Sequence, residues 1–231
     1  MNQATDRIRV HALLNLFITL IVVVVSISPA LAATTPAQTE QWSEHDLQRM
    51  KAGEVLLQIL HENKPGGAAR VTAYFHTEAD DVWNVIGACK FGFIYLRGLK
   101  LCEVLEAGEN QMLIHHRVRN SWYTPTLDFT FKANRAAGDV GAAHLLEGDL
   151  LVFDADWRMV SLPGDSGIIV SHEIRIQPRM LAPRWLVRRN LRRDLPDMLA
   201  CVRGLANASG DNRRIGADLN RCPGDISTLA K

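Results

Sequence analysis

The feature that most constrains the fold is a long arginine-rich segment, residues 183–205, which follows a run of strand-like segments. Its apolar residues recur three or four positions apart, which is the period of one face of an α-helix. They are Val187, Leu191, Leu195, Met198, Val202 and Leu205. No other segment predicts a helix of this length, so the apolar face must pack against a sheet. The sequence therefore predicts a long C-terminal helix lying on a β-sheet, an arrangement that commonly encloses a cavity.

Most of the chain before this helix alternates between apolar and polar residues, which predicts antiparallel strands with one buried and one solvated face. A short helix is predicted to begin at Thr77, with Asp80 completing a capping box, and residues 90–100 predict an apolar loop or a broken helix. The turn residues at 147–149 can divide the longest strand segment in two. The predicted strands are 55–60, 70–76, 99–106, 112–122, 127–132, 144–160 and 168–177.

This order of elements predicts an α+β helix-grip fold. In that fold a strongly curved antiparallel sheet wraps around one long C-terminal helix. A curved sheet and a single helix do not always fill the space between them with their own side chains. The fold therefore leaves room for a ligand.

The N-terminus has the pattern of a secretory signal peptide, residues 1–32. Basic residues up to His11 precede an apolar run at 13–27, and Ala30-Leu31-Ala32 is a small-x-small cleavage site. We therefore expect an exported, periplasmic protein that is cleaved after Ala32. The apolar run is about fifteen residues long, whereas a membrane-spanning helix needs roughly 20. The alternative is a signal that stays uncleaved as a membrane anchor.

The rest of the chain divides by composition into a linker, one domain and a tail. Residues 33–51 and 207–231 are polar and have little to bury, whereas residues 52–206 are long enough for one domain with a hydrophobic core. The chain has 26 Lys and Arg against 25 Asp and Glu, and residues 1–32 contain two Arg and one Asp, so 24 of each remain without them. This neutral balance argues against nucleic acid as the partner.

The four cysteines predict two disulfides, because an exported protein folds in an oxidising compartment. Four cysteines allow three pairings. We favour Cys89 with Cys102 and Cys201 with Cys222, since each pair closes a short local loop. The spacing contains neither a Cys-x-x-Cys motif nor a nearby pair of histidines, so we expect no metal site. We also expect no cofactor.

Three segments together resemble the START-like (SRPBCC) superfamily, specifically its polyketide cyclase/dehydrase and coenzyme Q-binding protein group. They are residues 73–83 (AYFHTEADDVW), Gly148-Asp149 followed by Trp157, and residues 183–196 (PRWLVRRNLRRDLP). The resemblance implies a START/Bet v 1-like fold for residues 52–206. It also implies binding of lipids, isoprenoid quinones, sterols or polyketides, with cyclisation in some members. No shared catalytic motif can be carried onto this chain, so no catalytic residue is assigned.

Large side chains on the apolar faces of the predicted strands are candidates to line a ligand cavity. Two of them are histidines, which could orient a polar group of the ligand or act as acid and base. Core packing is the alternative for the aromatic residues. For the histidines it is a backbone hydrogen bond in the core, or exposure if the strand phase is shifted by one residue. The candidates are His116, Trp122, Phe129, Phe153, Trp157 and His172.

The polar face of the long helix carries arginines and no lysine. This face can be solvated, or it can dock onto anionic lipid headgroups, since guanidinium groups bind phosphate with two hydrogen bonds. The candidates for this contact are Arg184, Arg188, Arg189, Arg192 and Arg193.

We expect an exported START-like domain that binds a hydrophobic small molecule, such as a lipid or isoprenoid, without catalysis. One alternative is a cyclase or dehydratase that uses His116 or His172 as proton carrier. The other is an interaction module whose cavity is filled by its own side chains and whose arginine helix recruits a membrane or a protein.

Overall fold

The computed structural model describes residues 42–60, 64–120, 122, 124–136, 139–180, 183–207 and 212–226. The predicted signal peptide lies outside these residues. Among the helices that the structure does describe, none is both long and apolar enough to cross a bilayer. In chain order the elements are α1 (Glu44–Lys51), β1 (Leu56–Leu60), β2 (Gly67–Phe75), α2 (Ala79–Ile86), α3 (Cys89–Tyr95), β3 (Leu99–Ala107), β4 (Gln111–Val118), β5 (Leu127–Ala136), β6 (Val140–Gly148), β7 (Leu150–Ser161), β8 (Ile168–Pro178), α4 (Arg184–Ala206) and α5 (Asn212–Leu219).

The eight strands form one curved antiparallel sheet in the order β1-β2-β8-β7-β6-β5-β4-β3. Strand β8 returns beside β2, so the first two strands and the last one lie together and β3 forms the far edge. Register shifts interrupt the β3–β4, β5–β6 and β7–β8 pairings, and such bulges bend a strand and increase its local twist. The predicted α+β helix-grip fold is confirmed.

Helix α4 packs across the inner face of this sheet and contacts β2. Five of the six residues on its predicted apolar face are buried and Leu205 is half-buried, which confirms the helical period. From Met198 to Gly204 the helix is buried on all sides, because α2 and α5 cover the faces that the sheet does not. Only the first half of α4 therefore presents a solvated surface.

Both predicted disulfides form. Cys89 pairs with Cys102 and joins α3 to β3, with a Cα–Cα distance of 5.5 Å. Cys201 pairs with Cys222 at 4.9 Å and fastens the chain beyond α5 to α4. Structural disulfides persist in oxidising compartments, so the two bonds agree with an exported protein.

The polar tail has more to bury than its composition predicts. Helix α5 packs on α4, and Asp218 of α5 accepts two hydrogen bonds of 2.7 Å from Arg203, whose side chain is only 2% exposed. The same guanidinium donates to the carbonyl oxygen of Gly53. Sequence periodicity cannot show this ion pair, because its two residues lie on different elements.

The segment predicted as an N-terminal linker also contains structure. Ser43 accepts a hydrogen bond from the backbone N–H of Asp46 and caps α1. Met50 of α1 is fully buried against Tyr74 and Ile169, which point to the outer face of the sheet. A single buried methionine in a polar stretch gives no periodic signal, so composition alone predicts a tether here.

Two local predictions have different outcomes. Helix α2 begins at Ala79 after an N-cap at Glu78 that makes no side-chain capping bond, so the capping box of Thr77 and Asp80 is wrong. Thr77 donates instead to the carboxylate of Asp81 at 2.5 Å, and Asp80 pairs with Arg135. The predicted break at 147–149 is confirmed, because β6 ends at Gly148 and β7 begins at Leu150.

Candidate functional site

A cavity of about 600 Å³ lies between the inner face of the sheet and α4. Strands β4, β5, β7 and β8 provide its floor, and the apolar face of α4 provides its roof through Val187, Leu191, Leu195 and Met198. This volume lies in the range of small-molecule sites, roughly 300 to 1,000 Å³. The hypothesis of a cavity filled by the protein's own side chains is therefore wrong.

Phenylalanines form one part of the floor. The ring centroid of Phe153 lies 5.2 Å from that of Phe129 and 5.0 Å from that of Phe131. These three residues come from β5 and β7 and line the cavity. Tilted contacts at such distances are favourable between aromatic rings. Phe129 and Phe153 thus lie where the alternation predicts, and Phe131 belongs with them on the same phase of β5.

His116 lies on the cavity wall beside this cluster. Its ring meets Phe131 edge-on, with centroids 4.9 Å apart, and Phe129 in the same manner at 5.9 Å. Burial among these apolar groups lowers the pKa of His116 to about 4, and the neighbouring His115 contributes in the same direction. The imidazole is therefore uncharged at neutral pH.

His172 and Trp157 form a second polar and aromatic pair on the wall. Their rings are stacked, with centroids 4.1 Å apart and an interplanar angle of 25°. The Nδ1 atom of His172 lies 3.1 Å from the carbonyl oxygen of Asp156. Burial lowers the pKa of His172 to about 4, although the hydrogen bond to Asp156 acts in the opposite direction. Both residues line the cavity.

Trp122 does not line the cavity, contrary to the sequence prediction. Strand β4 ends at Val118, and the indole of Trp122 is 85% exposed in the following turn. The prediction extends the alternation of β4 past the end of the strand, where alternation no longer determines a face.

Several residues of the wall are absent from the site residues predicted from the sequence. Met112, Ile114, Ile174 and Ile176 share the inner phase of β4 and β8 with the two histidines, so alternation could have identified them. Trp83 of α2 also lines the cavity, and its ring packs closely on Gly141. A Cβ atom on residue 141 would lie 2.3 Å from the indole, so this close approach needs glycine.

The charged residues that line the cavity are paired or exposed. Arg97 donates to Asp194 at 2.8 Å, and Arg135 donates to Asp80 at 2.7 Å. Glu109 is exposed in the turn between β3 and β4. Within the described part of the chain, no group of three His, Cys, Asp or Glu residues is placed to hold a metal ion.

The predicted arginine face lies on the first half of α4. Arg184, Arg189 and Arg192 are exposed, Arg188 is half-buried, and Arg193 is exposed and binds Asp194. Trp185, on the same turn of the helix as Arg184, is 63% exposed. This surface lies beside the cavity residues Val187 and Asn190.

The curved antiparallel sheet, the long helix packed across it and the apolar cavity between them define a START-like helix-grip protein. The model of one family, described as polyketide cyclase/dehydrase and lipid transport, matches residues 77–203, which is more than half of the chain. The chain belongs to this family, as its sequence motifs predict.

Solved structures with the same fold include lipid transfer proteins of low sequence identity. A STAR-related lipid transfer protein from Xanthomonas axonopodis matches with a TM-score of 0.57 and 15% identity, over 67% of this chain and 94% of that chain. A protein from Thermus thermophilus matches with a TM-score of 0.53 and 13% identity, over 62% and 99%. Human StAR-related lipid transfer protein 5 matches with a TM-score of 0.53 and 10% identity, over 67% and 82%. None of the curated proteins matches the sequence.

Proposed function

We propose that this chain is an exported START-like domain that holds one hydrophobic small molecule, a lipid or isoprenoid, beneath α4 without transforming it. The observation that carries the proposal is the apolar cavity of about 600 Å³. Protein interiors are close-packed, and apolar walls lose dispersion contacts where no atoms lie opposite them. A hydrophobic molecule in the cavity restores those contacts, and its own apolar surface is removed from water.

The signs of export and the structural neighbours both support a lipid-like ligand. The two disulfides and the N-terminal signal pattern support a periplasmic location. The neighbours from Xanthomonas axonopodis and from human are both lipid transfer proteins by name. A periplasmic carrier would shield an apolar molecule from water between two membranes.

A cyclase or dehydratase is the second candidate, because His116 and His172 both line the cavity. A proton carrier works best when its pKa is close to the working pH. Burial lowers the pKa of both rings to about 4, so each is a weak base at neutral pH. The lowered pKa values of both rings therefore support binding over acid–base catalysis.

The arginine face of α4 supports a further part of the proposal, docking onto anionic membranes during ligand exchange. Exposed arginines can bind lipid phosphates, and the exposed indole of Trp185 suits the interface between headgroups and acyl chains. Because Val187 and Asn190 of the same helix line the cavity, a docked helix would bring the cavity close to the lipid.

A cavity-filling substitution tests the proposed binding. Ala155 is buried on the floor between Phe153 and Trp157, so Ala155→Phe places a ring inside the cavity. With the uncharged fluorophore N-phenyl-1-naphthylamine, we expect saturable binding to the wild-type protein and binding at least about tenfold weaker to the variant.

Ala107→Phe is the matched control, since Ala107 is exposed on β3 and does not line the cavity. It should bind the fluorophore as the wild type does. Circular dichroism melting confirms that each variant is folded. Equal affinity of wild type and Ala155→Phe, or no binding to the wild type, contradicts the proposal.

A further inference from the structure

The tautomer of His172 is determined by its backbone hydrogen bond. Its Nδ1 atom lies 3.1 Å from the carbonyl oxygen of Asp156. A carbonyl oxygen only accepts hydrogen bonds, so Nδ1 carries the proton and donates it. In a neutral imidazole the other ring nitrogen, Nε2, then has a free lone pair and is an acceptor.

This acceptor opens into the cavity. The structure gives Nε2 no hydrogen-bond partner among the described residues. Among the described residues, the side-chain nitrogen and oxygen atoms that are fully buried without a partner belong to Trp83, Arg203 and Asn207, so Nε2 keeps some accessible surface. Because His172 is buried from the outside and lines the cavity, the surface of Nε2 faces the ligand space.

The ring is held in one orientation. Stacking on Trp157 restrains one of its faces, and the bond to Asp156 restrains its edge. Burial keeps it neutral, with a pKa of about 4. A fixed acceptor binds a donor without the loss of rotamer freedom that a mobile side chain incurs.

The charged side chains of the remaining wall are already engaged or exposed, so none is buried in the apolar part of the cavity as a dedicated partner for an ionised ligand. Arg135 binds Asp80, Arg97 binds Asp194, which also accepts from Arg193, and the remaining charged lining residue, Glu109, is an exposed acid. An uncompensated carboxylate or phosphate in an apolar cavity has a high free-energy cost. The ligand that fits this wall is uncharged.

We propose that the ligand is an uncharged hydrophobic alcohol whose hydroxyl group donates a hydrogen bond to Nε2 of His172. This inference rests on the proposed binding function and narrows it. Isoprenoid alcohols and other hydroxylated apolar molecules can donate this hydrogen bond. Ethers, ketones and hydrocarbons of the same shape leave Nε2 without a donor. His172 is thus the residue that determines specificity for a hydroxyl group.

Two probes that differ only in the donor test this inference. Farnesol carries a hydroxyl group and farnesyl methyl ether replaces its hydrogen with a methyl group. In displacement of N-phenyl-1-naphthylamine from the full chain, we expect farnesol to bind about tenfold more tightly than the ether, the effect of one buried neutral hydrogen bond.

Variants assign the preference to one side chain. His172→Phe keeps an aromatic ring on Trp157 but lacks the acceptor, so farnesol should bind it no more tightly than the ether. His172→Gln restores an acceptor oxygen and should recover part of the preference. His144→Phe is the matched control, because His144 is exposed on β6 and binds Asp154, and it should keep the full preference.

The outcomes separate this inference from the function on which it rests. Equal binding of both probes to the wild type, or a preference that survives in His172→Phe, overturns the alcohol proposal and leaves hydrophobic binding intact. Failure of both probes and of the fluorophore to bind overturns the binding function and the alcohol proposal with it.

Discussion

Burial holds His116 and His172 of the cavity wall in their neutral forms. Because protonating them in the folded protein costs free energy, the stability of the fold depends on pH. An unfolded histidine has a pKa of about 6.5, whereas burial lowers both of these to about 4. Between these values the unfolded chain binds more protons than the folded one. The contribution to stability is therefore complete above about pH 6.5 and is lost as the pH falls towards 4.

We expect the free energy of unfolding to fall by about 2 kcal/mol for each of these two histidines between pH 7 and pH 5. Urea unfolding at pH 7, 6 and 5 measures this change. The double variant His116→Phe, His172→Phe should show a much smaller decrease. The carboxyl group of Asp165 does not interfere with this measurement. Hydrogen bonds from Lys51 and then Tyr74 hold its pKa low, so its protonation changes stability only below about pH 4. An unchanged pH dependence in the double variant would show that the histidines are not buried in neutral form.

Individual wall residues could be predicted where alternation determines the face of a strand. His116, Phe129, Phe153, Trp157 and His172 all reach the cavity for that reason. The prediction for Trp122 is wrong because alternation does not show where a strand ends. The stacking and the hydrogen bond of His172 could not be predicted either, since they depend on the register of β7 and β8.

At the scale of elements, the two halves of α4 have different surroundings. Its second half is enclosed by the sheet, α2 and α5, and is fastened by the pairs Arg203–Asp218 and Cys201–Cys222. Its first half covers the cavity with apolar residues and presents arginines to solvent. The fold is thus anchored through the second half of the helix.

The arginine face predicts binding to anionic membranes. We expect the protein to sediment with vesicles of phosphatidylglycerol and phosphatidylcholine, and not with phosphatidylcholine alone. Arg184→Glu, Arg189→Glu should abolish sedimentation, since each basic residue near an anionic surface contributes about 1 kcal/mol. Both arginines are exposed, so the fold should be unaffected.

Lys100→Glu, Lys132→Glu makes the same change of charge at exposed positions on β3 and β5 and serves as the control. It should sediment like the wild type, and 0.5 M salt should release both, because salt screens surface charges. Binding that ignores lipid charge, or that survives loss of the two arginines, contradicts docking through this face.

The helices show which elements periodicity can detect. The face of α4 repeats over about six turns, so the sequence predicts it residue by residue. Helices α1 and α5 have eight residues each, and their burial depends on Met50 and on the partner of Asp218. Contacts of this kind bring distant segments together, so no local pattern indicates them.

For the whole molecule, the volume under α4 is the property that decides function. It depends on how strongly the sheet curves, and the bulges in the β3–β4, β5–β6 and β7–β8 pairings contribute to that curvature. The sequence predicts a curved sheet around one helix. Whether side chains fill the space between them depends on packing across many elements, so only the structure distinguishes an open cavity from a filled one.

Native mass spectrometry of the protein purified from its export compartment tests the binding function most directly. We expect a chain that starts at residue 33 and carries the added mass of one small molecule, which organic solvent releases as an unaltered hydrophobic compound. Ala155→Phe should carry none. A bare chain in every gentle preparation, together with no binding of N-phenyl-1-naphthylamine, would contradict the proposed function, and a bound compound that loses water on incubation would indicate catalysis instead.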